Sequence, residues 1–561
     1  MSDSHQRLQA LNPEQSFIVS APAGSGKTGL ITQRLLKLLC TVENPEEILC
    51  ITFTRKAAGE MASRVHSALQ AAAQQTRPSA AYEAQTWDLA AEALERDKAL
   101  GWDLLNMPSR LRIQTIDSFC RYIASQFALE TNLGELPEPS EQPDSHYLAA
   151  ARSLLASIEE ESQTAEELQI LLAHLGNDLV RTETLLAKML ANRDQWLPHI
   201  YSARDNHAYF QQVIEQTLTD RLILLTQALA PISAELLAMA DFAACHADVD
   251  KNPTLCNLAG IKDLPEPSLE AMPAWQGLLS LLVTKDFKPR QQLTIREGFP
   301  KDQKAAKARM TELLDWSADN PQLQELIANC LHLPDSEISQ EQQRLLNALA
   351  HLLPLLAAYL ENRFKQQNQC DYSAITLAAL QALQVNSDDQ SISDITLRLD
   401  YQLRHILVDE FQDTSGSQIV LLERLIAGWQ PDDGRTLFLV GDAMQSLYGF
   451  RNANVGLFLN AQRHPIGPVQ CKPLSLNTNF RSQKAVIDWV NQAFAPAFPA
   501  RADSSRGAIP YSPSKAHKPA QAGPAVSFCG FNSSSDDLYD EAEANEIAIL
   551  CQRLTEQQPD E

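Results

Sequence analysis

The sequence predicts an α/β protein in which a parallel β-sheet is interrupted by a large helical insertion. Two short apolar runs near the N-terminus, "SFIVSA" and "EEILCITF", are each followed by a segment with helical periodicity, and strands that alternate with helices are typical of parallel sheets. Between residue 131 and about residue 375, Leu, Ala, Gln and Glu dominate and β-branched runs are few. Strand-like runs return in "HILVDEF" and "TLFLVGD", so we expect the sheet to resume after the insertion.

The amino-acid composition is that of an ordinary globular protein. The chain has 561 residues, of which 44% are hydrophobic and 21% are charged, and this length is enough for roughly three or four domains. The N-terminal stretch "MSDSHQRLQALNPEQ" is polar and lacks the apolar segment of a signal peptide. We expect no apolar run to be long enough to cross a bilayer, no membrane partner and a cytoplasmic location.

Charge and cysteine content narrow the function classes. The net charge of −24 argues against a nucleic-acid binder, because phosphate backbones attract cations. It does not exclude one, since net charge bears on solubility more than on the chemistry of a local groove. None of the 10 cysteines forms a CxxC pair, which favours reduced thiols over a zinc site or a disulfide framework.

The first motif with chemical content is "SAPAGSGKTG", residues 20 to 29, between a predicted strand and a predicted helix. This is the context that a phosphate-binding loop requires. The small residues that let backbone N–H groups turn inward around phosphates are Ala23, Gly24, Ser25 and Gly26. Lys27 would reach the β- and γ-phosphates and Thr28 would ligate Mg²⁺. The alternative is a chance glycine-rich turn, and the strict pattern has glycine where this chain has Ala21.

The run "HILVDEF" ends in two adjacent acids, Asp409 and Glu410. In an enzyme with a phosphate-binding loop, an acid at the tip of a second strand holds Mg²⁺, and Asp409 fits that role. Glu410 would then polarise the attacking water as a general base. The alternative is a surface turn with capping acids, which the phosphate-binding loop upstream disfavours.

A basic stretch lies within the predicted insertion, between residues 285 and 309. Its cations are Lys285, Lys288, Arg290, Arg296, Lys301, Lys304, Lys307 and Arg309. The three lysines from 301 to 307 recur every third residue, so they can share much of one helix face. This stretch predicts a contact with duplex DNA, and the alternative is a solvated helix face, as charge runs usually are.

The remaining segments carry structural signals. "NQCDYSAITLAAL", residues 368 to 380, predicts a helix capped by Asp371 or Ser373. Residues 501 to 525 are rich in Pro, Ser and Ala and predict a loop or linker. The final helix, "DEAEANEIAILCQRL", has apolar residues at i, i+3, i+4 and i+7, so its amphipathic face requires a partner surface.

In their order, the motifs resemble those of superfamily 1 DNA helicases of the UvrD/Rep type. The matching stretches, which run from residue 11 to residue 482, are "LNPEQ", "SAPAGSGKT", "ITFTRKAAGEMASRV", "TIDSFC", "VDEFQDTSGSQ", "LVGDAMQSLYGFRNA" and "LNTNFRS". Gln15 stands at the family's adenine-reading position, and Asp117 stands where the family usually has His. The insertion and its stretch "LLVTKDFKPRQQLTIREGFP" are most similar to the RecB/AddA branch, the helicase subunits of bacterial helicase–nucleases.

The resemblance implies an architecture with two RecA-like domains and ATP between them. Residues 1–130 and 376–475 would form the first RecA-like domain, 131–375 a helical insertion domain, and 476–561 the truncated start of the second RecA-like domain. The family's motifs V and VI and a C-terminal nuclease are not found in the sequence. We therefore expect the chain to be the N-terminal part of a longer protein or a shortened relative.

The resemblance also implies roles for further residues. Gln445 would contact the γ-phosphate, Arg481 would stabilise the transition state from the second domain, and Gln412 and Asp413 would couple the nucleotide site to neighbouring motifs. The predicted catalytic set consists of Lys27, Glu410, Gln445 and Arg481. The predicted DNA contacts are Thr52, Phe53, Thr54, Tyr448, Phe450 and Arg451. Aromatic rings there would stack on single-stranded bases, and core packing is the alternative.

The sequence thus predicts an ATP- and Mg²⁺-dependent 3′–5′ DNA helicase or translocase of double-strand-break repair and recombination. Its partners would be single-stranded DNA, junctions with duplex DNA and a nuclease subunit. The alternative is an ATP- and DNA-binding scaffold subunit that does not unwind DNA, because motifs V and VI are missing. A third class, an unrelated P-loop kinase or transporter ATPase, leaves "LVGDAMQSLYGFRNA" and "NFRS" unexplained.

Overall fold

The computed structural model of the chain describes most of its residues. The described ranges are 3–126, 137–140, 142–159, 162–204, 209–247, 252–284, 288–300, 302–331, 340–383, 399, 402–446, 454–499, 507–521, 525–528 and 536–557. The strands in these ranges are β1 (Phe17–Ser20), β2 (Ile48–Thr52), β3 (Arg112–Thr115), β4 (Glu138–Pro139), β5 (Gln369–Cys370), β6 (His405–Val408), β7 (Thr436–Gly441), β8 (Lys472–Ser475), β9 (Thr478–Gln483) and β10 (Lys515–Lys518).

The helices fall into three groups along the chain. Before the insertion they are α1 (Ser4–Ala10), α2 (Lys27–Leu39), α3 (Arg55–Gln74), α4 (Ala81–Leu100) and α5 (Ile116–Gln126). In the insertion they are α6 (Asp144–Ala156), α7 (Gln163–His174), α8 (Leu179–Ala191), α9 (Arg193–Arg204), α10 (Tyr209–Leu229), α11 (Ser233–His246), α12 (Pro253–Cys256), α13 (Met272–Ser280), α14 (Lys304–Ala318), α15 (Pro321–Leu331) and α16 (Gln340–Gln367). After it they are α17 (Tyr372–Ala382), α18 (Gly416–Leu425), α19 (Val455–Arg463), α20 (Lys484–Phe494) and α21 (Asp536–Gln557).

The centre of the fold is a parallel sheet. Among the described residues it has six strands in the order β3-β2-β6-β7-β1-β8, and each strand runs parallel to its neighbours. Residues of β2, β6 and β7 are buried at every position, because helices cover both faces, and this explains their continuous apolar runs. The predicted parallel α/β core with a helical insertion is confirmed.

Two hydrophobic cores enclose the sheet. One face packs against α2, α3 and α4 through side chains such as Leu35, Met61 and Leu94. The other face packs against α5, α17, α18 and α19, with Phe119 and Phe458 among the fully buried side chains. The carboxyl ends of the strands therefore meet along one edge, where the loops after β1, β2, β6 and β7 lie together.

The insertion has cores of its own. One cluster joins α6 to α9 with α16, and a second joins α10 to α15. Two short parallel strands, β4 and β5, pair Glu138 with Gln369 and Pro139 with Cys370 where the chain crosses between sheet domain and insertion. The domain boundaries given above remain predictions.

The expectation that no apolar run is long enough to cross a bilayer is corrected by one stretch of the insertion. In the described residues, the stretch Leu218–His246 is long and apolar enough to cross a membrane by length and composition, with a mean hydropathy of 1.7 and 39% of its 18-residue window buried. A short 3-10 turn, Ala230–Ile232, divides the stretch between α10 and α11. Its side chains Leu222 and Leu236 are fully buried in the second core of the insertion, and core helices of globular proteins often meet the same two criteria.

Two local predictions differ from the structure. The stretch "RLRIQTIDSFC" predicts a strand and a turn, but a helix, α5, begins directly after β3. The cause is Thr115, whose Oγ1 accepts a hydrogen bond from the N–H of Ser118 at 3.1 Å and so satisfies the first turn of the helix. The predicted linker of residues 501 to 525 contains β10, which pairs with β9.

A helix, α21, forms where the sequence predicts one, but the face predicted to require a partner surface is exposed in the described part of the chain. Ile547 and Leu550 are 53% and 43% exposed. In the described part of the chain its apolar face is therefore solvent-accessible.

His405 makes the stability of the sheet depend on pH. Its imidazole is 4% exposed and its Nδ1 lies 2.8 Å from Thr436 Oγ1. Burial, with the nearby charges of Arg34 and Arg404, lowers the pKa of His405 from 6.5 to about 3. Below pH 6.5 the unfolded chain therefore binds a proton that the folded chain rejects, and stability falls as the pH falls toward 3.

We expect His405→Gln to weaken this dependence. Between pH 7 and pH 5, wild type should lose about 2 kcal/mol more unfolding free energy than the variant, as measured by denaturant unfolding at both pH values. His464→Gln, which alters an exposed imidazole, is the control and should follow wild type. Parallel pH profiles for wild type and His405→Gln would contradict the assignment.

Candidate nucleotide-binding site

The loop between β1 and α2 has the backbone of an anion-binding turn. Gly24 and Gly26 have φ values of 73° and 81°, in the left-handed region that glycine adopts without strain. Gly26 precedes the first residue of α2, Lys27, so the free N–H groups and the positive end of the helix dipole lie at this loop. The loop forms the floor of a cleft of about 240 Å³.

Residues from separate parts of the chain line this cleft. They are Ala23, Gly24, Gly26, Lys27, Thr28, Gly29, Arg64, Glu410, Gln445 and Arg481. The predicted catalytic set of Lys27, Glu410, Gln445 and Arg481 is thus brought together, and Thr28 lies beside it. The structure shows their proximity, and their individual roles stay predictions.

Lys27 and Glu410 form an ion pair across the cleft. Lys27 Nζ lies 2.8 Å from Glu410 Oε2, and the two side chains are 11% and 34% exposed. Glu410 has φ 52° and ψ 42°, a left-handed conformation that costs a non-glycine residue about 1–3 kcal/mol. Gln412 Nε2 donates to the same Glu410 oxygen at 2.9 Å. The carboxylate is therefore held in one position by two donors.

Asp409 is buried next to that pair. It is 7% exposed, and its Oδ1 accepts a hydrogen bond from the N–H of Glu410 at 3.0 Å. Burial and, second, the charge of Glu410 raise the pKa of Asp409 to about 7, and Lys27 opposes the shift. A divalent cation would relieve this cost of ionisation, so the environment suits the predicted metal ligand.

The donors at the site fit Mg²⁺ more than other metals. Asp409 and Thr28 offer a carboxylate and a hydroxyl oxygen, and Mg²⁺ is usually bound by one or two carboxylates together with substrate phosphates. Within the described ranges, no group of three or more His, Cys, Asp and Glu side chains is arranged to hold a metal. The residues present therefore fit a metal ion that is shared with a bound phosphate, and the Mg²⁺ site stays a prediction.

Gln412 connects the tips of β6 and β7. Its side chain is 1% exposed; Nε2 also donates to Asp413 Oδ2 at 3.1 Å, and Oε1 accepts from the N–H of Asp442 at 2.9 Å. Gln445 ends the 3-10 turn that follows Asp442. Gln412 therefore ties the two strand tips that carry Glu410 and Gln445, and the coupling role of Gln412 and Asp413 stays a prediction.

Strand β9 closes the cleft from the opposite side. Asn479 Nδ2 and the N–H of Phe480 donate to the carbonyls of Ala23 and Gly24, each at 2.8 Å. Asn479 Oδ1 in turn accepts the N–H of Arg481 at 2.9 Å. Arg481 is thus positioned by direct contact between its strand and the phosphate-binding loop.

Helix α1 joins both walls of the cleft. The Asp3 carboxylate, 4% exposed, accepts the N–H groups of Asn477 and Thr478 at 3.0 and 2.7 Å. One turn later, Arg7 donates to the carbonyl of Ser25, and its guanidinium lies 5.3 Å from the ring centroid of Phe480. These contacts bridge the phosphate-binding loop and β9.

Sequence reasoning missed Arg7, Arg64 and Asn479. Arg64 and Asn479 lie inside quoted motifs, but whether their side chains face the cleft depends on how α3 and β9 pack. Arg7 lies before any motif, and no local signal identifies it. These residues add two cations and an amide to the predicted set.

The predicted adenine reader, Gln15, lies in the turn before β1. Its carbonyl accepts from Arg34 Nη2 at 3.0 Å, and Gln15 is absent from the cleft-lining residues given above. Arg34 is fully buried and also donates to the carbonyl of Ala10 at 3.0 Å. The segment is firmly anchored, and the role of Gln15 stays a prediction.

The predicted DNA contacts are only partly described. Thr52 ends β2 and is buried, while Phe53 is half-buried. Thr54 Oγ1 accepts the N–H of Ala57 at 3.1 Å and caps α3, so it has a local structural role. Tyr448, Phe450 and Arg451 lie outside the described residues.

The basic stretch is partly neutralised. Arg290 pairs with Glu297 at 3.1 Å, and Arg309 pairs with Glu235 at 2.7 Å. Besides Arg309, the exposed cations of the stretch are Lys288, Arg296 and Lys304, and Lys307 is half-buried. Lys285 and Lys301 lie outside the described ranges. The predicted duplex contact is untested.

Comparisons with known proteins agree with the geometry. The model of a protein family described as UvrD/REP helicase N-terminal domain matches residues 2–465. Similar curated proteins are each named as one subunit of an ATP-dependent helicase/nuclease. The one from Ligilactobacillus salivarius is 25% identical over 86% of this chain and 38% of its own length. Those from Lactobacillus acidophilus and Lysinibacillus sphaericus are 27% and 24% identical, over 90% of this chain and 41% and 40% of their lengths. The chain thus spans about two fifths of these relatives.

The close approach of β9 to the loop makes Gly24 a sensitive position. A Cβ at Gly24 would lie 2.7 Å from Asn479 Nδ2, and φ there is +73°. An L-residue in this conformation costs roughly 1–2 kcal/mol, so Gly24→Ala should weaken binding of a fluorescent ATP analogue about tenfold or more. Gly59→Ala is the matched control, because that exposed helical position has no atom within 4 Å. Unchanged affinity in Gly24→Ala would contradict the proposed loop geometry.

Proposed function

Because the chain belongs to the UvrD/REP helicase N-terminal domain family, we propose that it is the ATP-binding part of a DNA helicase of the AddA type. The observation that carries this proposal is the meeting of Lys27, Glu410, Gln445 and Arg481 in one cleft. The chain would couple ATP hydrolysis to 3′–5′ movement on single-stranded DNA. The direction comes from the family resemblance.

Binding of ATP begins at the phosphate-binding loop. Backbone N–H groups of residues 24 to 28 and the dipole of α2 would attract the phosphates. Lys27 would exchange its contact with Glu410 for the β- and γ-phosphate oxygens. Thr28 and Asp409 would hold Mg²⁺, which supplies charge neutralisation between the phosphates when bound.

Glu410 would act as the general base. Once Lys27 turns to the phosphates, the Glu410 carboxylate loses its cation and becomes a better proton acceptor. Gln412, which donates to Glu410 Oε2 at 2.9 Å, would keep the carboxylate oriented toward the attacking water. A proton would pass from that water to Glu410 as the bond from the water oxygen to the γ-phosphorus forms and the bond from the γ-phosphorus to the bridging oxygen of the leaving ADP breaks.

Arg481 and Gln445 would respond to the γ-phosphate. An arginine that reaches the γ-phosphate stabilises charge in the transition state, and β9 already contacts the loop through Asn479. Gln445 lies at the tip of β7, next to the stretch 447–451 in which Tyr448 and Phe450 are predicted to stack on bases. Gln445 would therefore connect the γ-phosphate with the DNA contact.

The names of the relatives support the wider role. They are called helicase/nuclease subunits, which favours a DNA substrate, a nuclease partner or domain, and a part in double-strand-break repair and recombination in the cytoplasm. Phe53 and the exposed cations of the basic stretch are the proposed contacts with single-stranded and duplex DNA.

The test is ATP hydrolysis by the full protein that contains this chain. We expect single-stranded oligothymidylate to stimulate turnover, Lys27→Ala to abolish it, and Glu410→Gln to lower kcat about 10²-fold or more while ATP still binds. Glu423→Gln, an exposed carboxylate on α18, is the matched control.

Two outcomes would contradict the proposal. Hydrolysis that is independent of DNA would exclude a helicase cycle. Binding of ATP and DNA without hydrolysis or strand separation would favour the scaffold alternative.

A further inference from the structure

The insertion contacts the sheet domain through a buried ion pair at the start of α9. Arg193 Nη1 and Nη2 donate to Asp371 Oδ2 and Oδ1, both at 2.6 Å, and the two side chains are 5% and 4% exposed. The Tyr147 hydroxyl donates to Asp371 Oδ2, also at 2.6 Å. A planar guanidinium that binds a carboxylate with two parallel bonds fixes orientation as well as distance.

Asp371 lies inside the predicted insertion boundary at residue 375, but it caps α17, whose side chains Ile375 and Ala379 pack in the core beneath the sheet. Its Oδ1 accepts the N–H of Ala374 at 2.8 Å and caps α17, which confirms one of the two predicted caps. Burial opposes its ionisation, but Arg193 and the hydrogen bonds keep the pKa of Asp371 below its ordinary value. The insertion is therefore attached to α17, which packs against α5 and α18 beneath the sheet.

The next residue, Asp194, attaches the insertion to α18. Ser417 Oγ donates to Asp194 Oδ2 at 2.7 Å, in a buried contact. Ser417 Oγ also lies 3.0 Å from Ser415 Oγ, and Ser415 forms a capping box with Gln418 at the start of α18. A chain of hydrogen bonds thus leads from α9 to the first turn of α18.

The first turn of α18 follows the carboxylate loop, which we define as residues 409–413. Only Thr414 and Ser415 separate the loop from α18. Phe411 and Gln412 are each 1% exposed, and Glu410 is held in the left-handed conformation. Because the loop is short and its Phe411 and Gln412 side chains are tightly packed, we expect a shift of the α18 terminus to displace Glu410.

We propose that Arg193 and Asp194 are positioning residues through which the insertion, once it holds DNA, adjusts the carboxylate loop to speed hydrolysis. DNA held against the insertion would move α9, and the contacts to Asp371 and Ser417 would transmit that movement to Glu410. This inference rests on the proposed function, since it names the route by which DNA raises the rate of ATP hydrolysis.

The variants Asp194→Ala and Ser417→Ala test the route in the full protein that contains this chain. We expect each to lower the ratio of DNA-stimulated to basal kcat about fivefold or more, the lower range of coupling between sites. Basal kcat and KM for ATP should stay within about twofold of wild type, because neither side chain reaches the cleft. The double variant should lose no more than either single one, since both remove the same contact.

Matched controls separate coupling from packing. Glu183→Gln breaks the Arg152 ion pair, which lies on the insertion surface, and Ser153→Ala removes an exposed hydroxyl of α6. Both should keep the wild-type stimulation ratio. The inference is overturned if Ser417→Ala lowers only the unfolding temperature, or lowers basal and stimulated rates by the same factor.

A second measurement keeps the inference testable apart from the proposed function. If DNA does not stimulate wild type, the proposed function fails, and hydrogen exchange of α9 is followed instead. We expect the ATP analogue AMP-PNP to change exchange at residues 193 to 204 in wild type and to leave it unchanged in Ser417→Ala. Exchange of α9 that is insensitive to AMP-PNP in wild type, or equally sensitive in the variant, would refute the link.

Discussion

The rest of the site depends on one ion pair, between Lys27 and Glu410. The two residues are 383 positions apart in the chain, and the whole helical insertion lies between them. They meet because β1 and β6 run in the same direction in one sheet, with β7 between them, so their carboxyl ends share an edge. The geometry of the cleft is therefore a consequence of strand order, and the insertion can be large without disturbing it.

The ion pair also shows how an acidic chain can present a cationic cleft. The net charge is −24, yet Lys27, Arg64 and Arg481 line the cleft and Glu410 is its one lining carboxylate among the described residues. Arg7 adds a further cation at the rim, next to the Ser25 carbonyl. Phosphates respond to this local field and not to the total charge, so overall acidity is a poor guide to the ligand.

The sequence predicted those parts of the site whose functional groups come from residues next to one another in the chain. The phosphate-binding loop, the acids after β6 and the parallel sheet could be predicted, because strand and turn signals there are local and strong. Contacts that depend on how helices and strands pack could not be predicted from the sequence. Asn479 against the loop, Arg7 across Phe480 and Arg193 on Asp371 each join elements whose relative position only the folded chain defines. The expectation that no apolar run is long enough to cross a bilayer overlooked Leu218–His246, whose apolar side chains pack partly among neighbouring helices of the insertion.

The pairing of β4 with β5 has a consequence for how the insertion changes over time. The two connections between the sheet domain and the insertion lie side by side, at Glu138–Pro139 and Gln369–Cys370. Helices added to or deleted from the insertion change only the length of the chain between these two connections. The free-energy cost of closing such a loop grows slowly, by about 0.6 kcal/mol per doubling of length. The insertion can therefore differ in length between related proteins, while β1 and β6 keep their places in the sheet and hold Lys27 and Glu410 together.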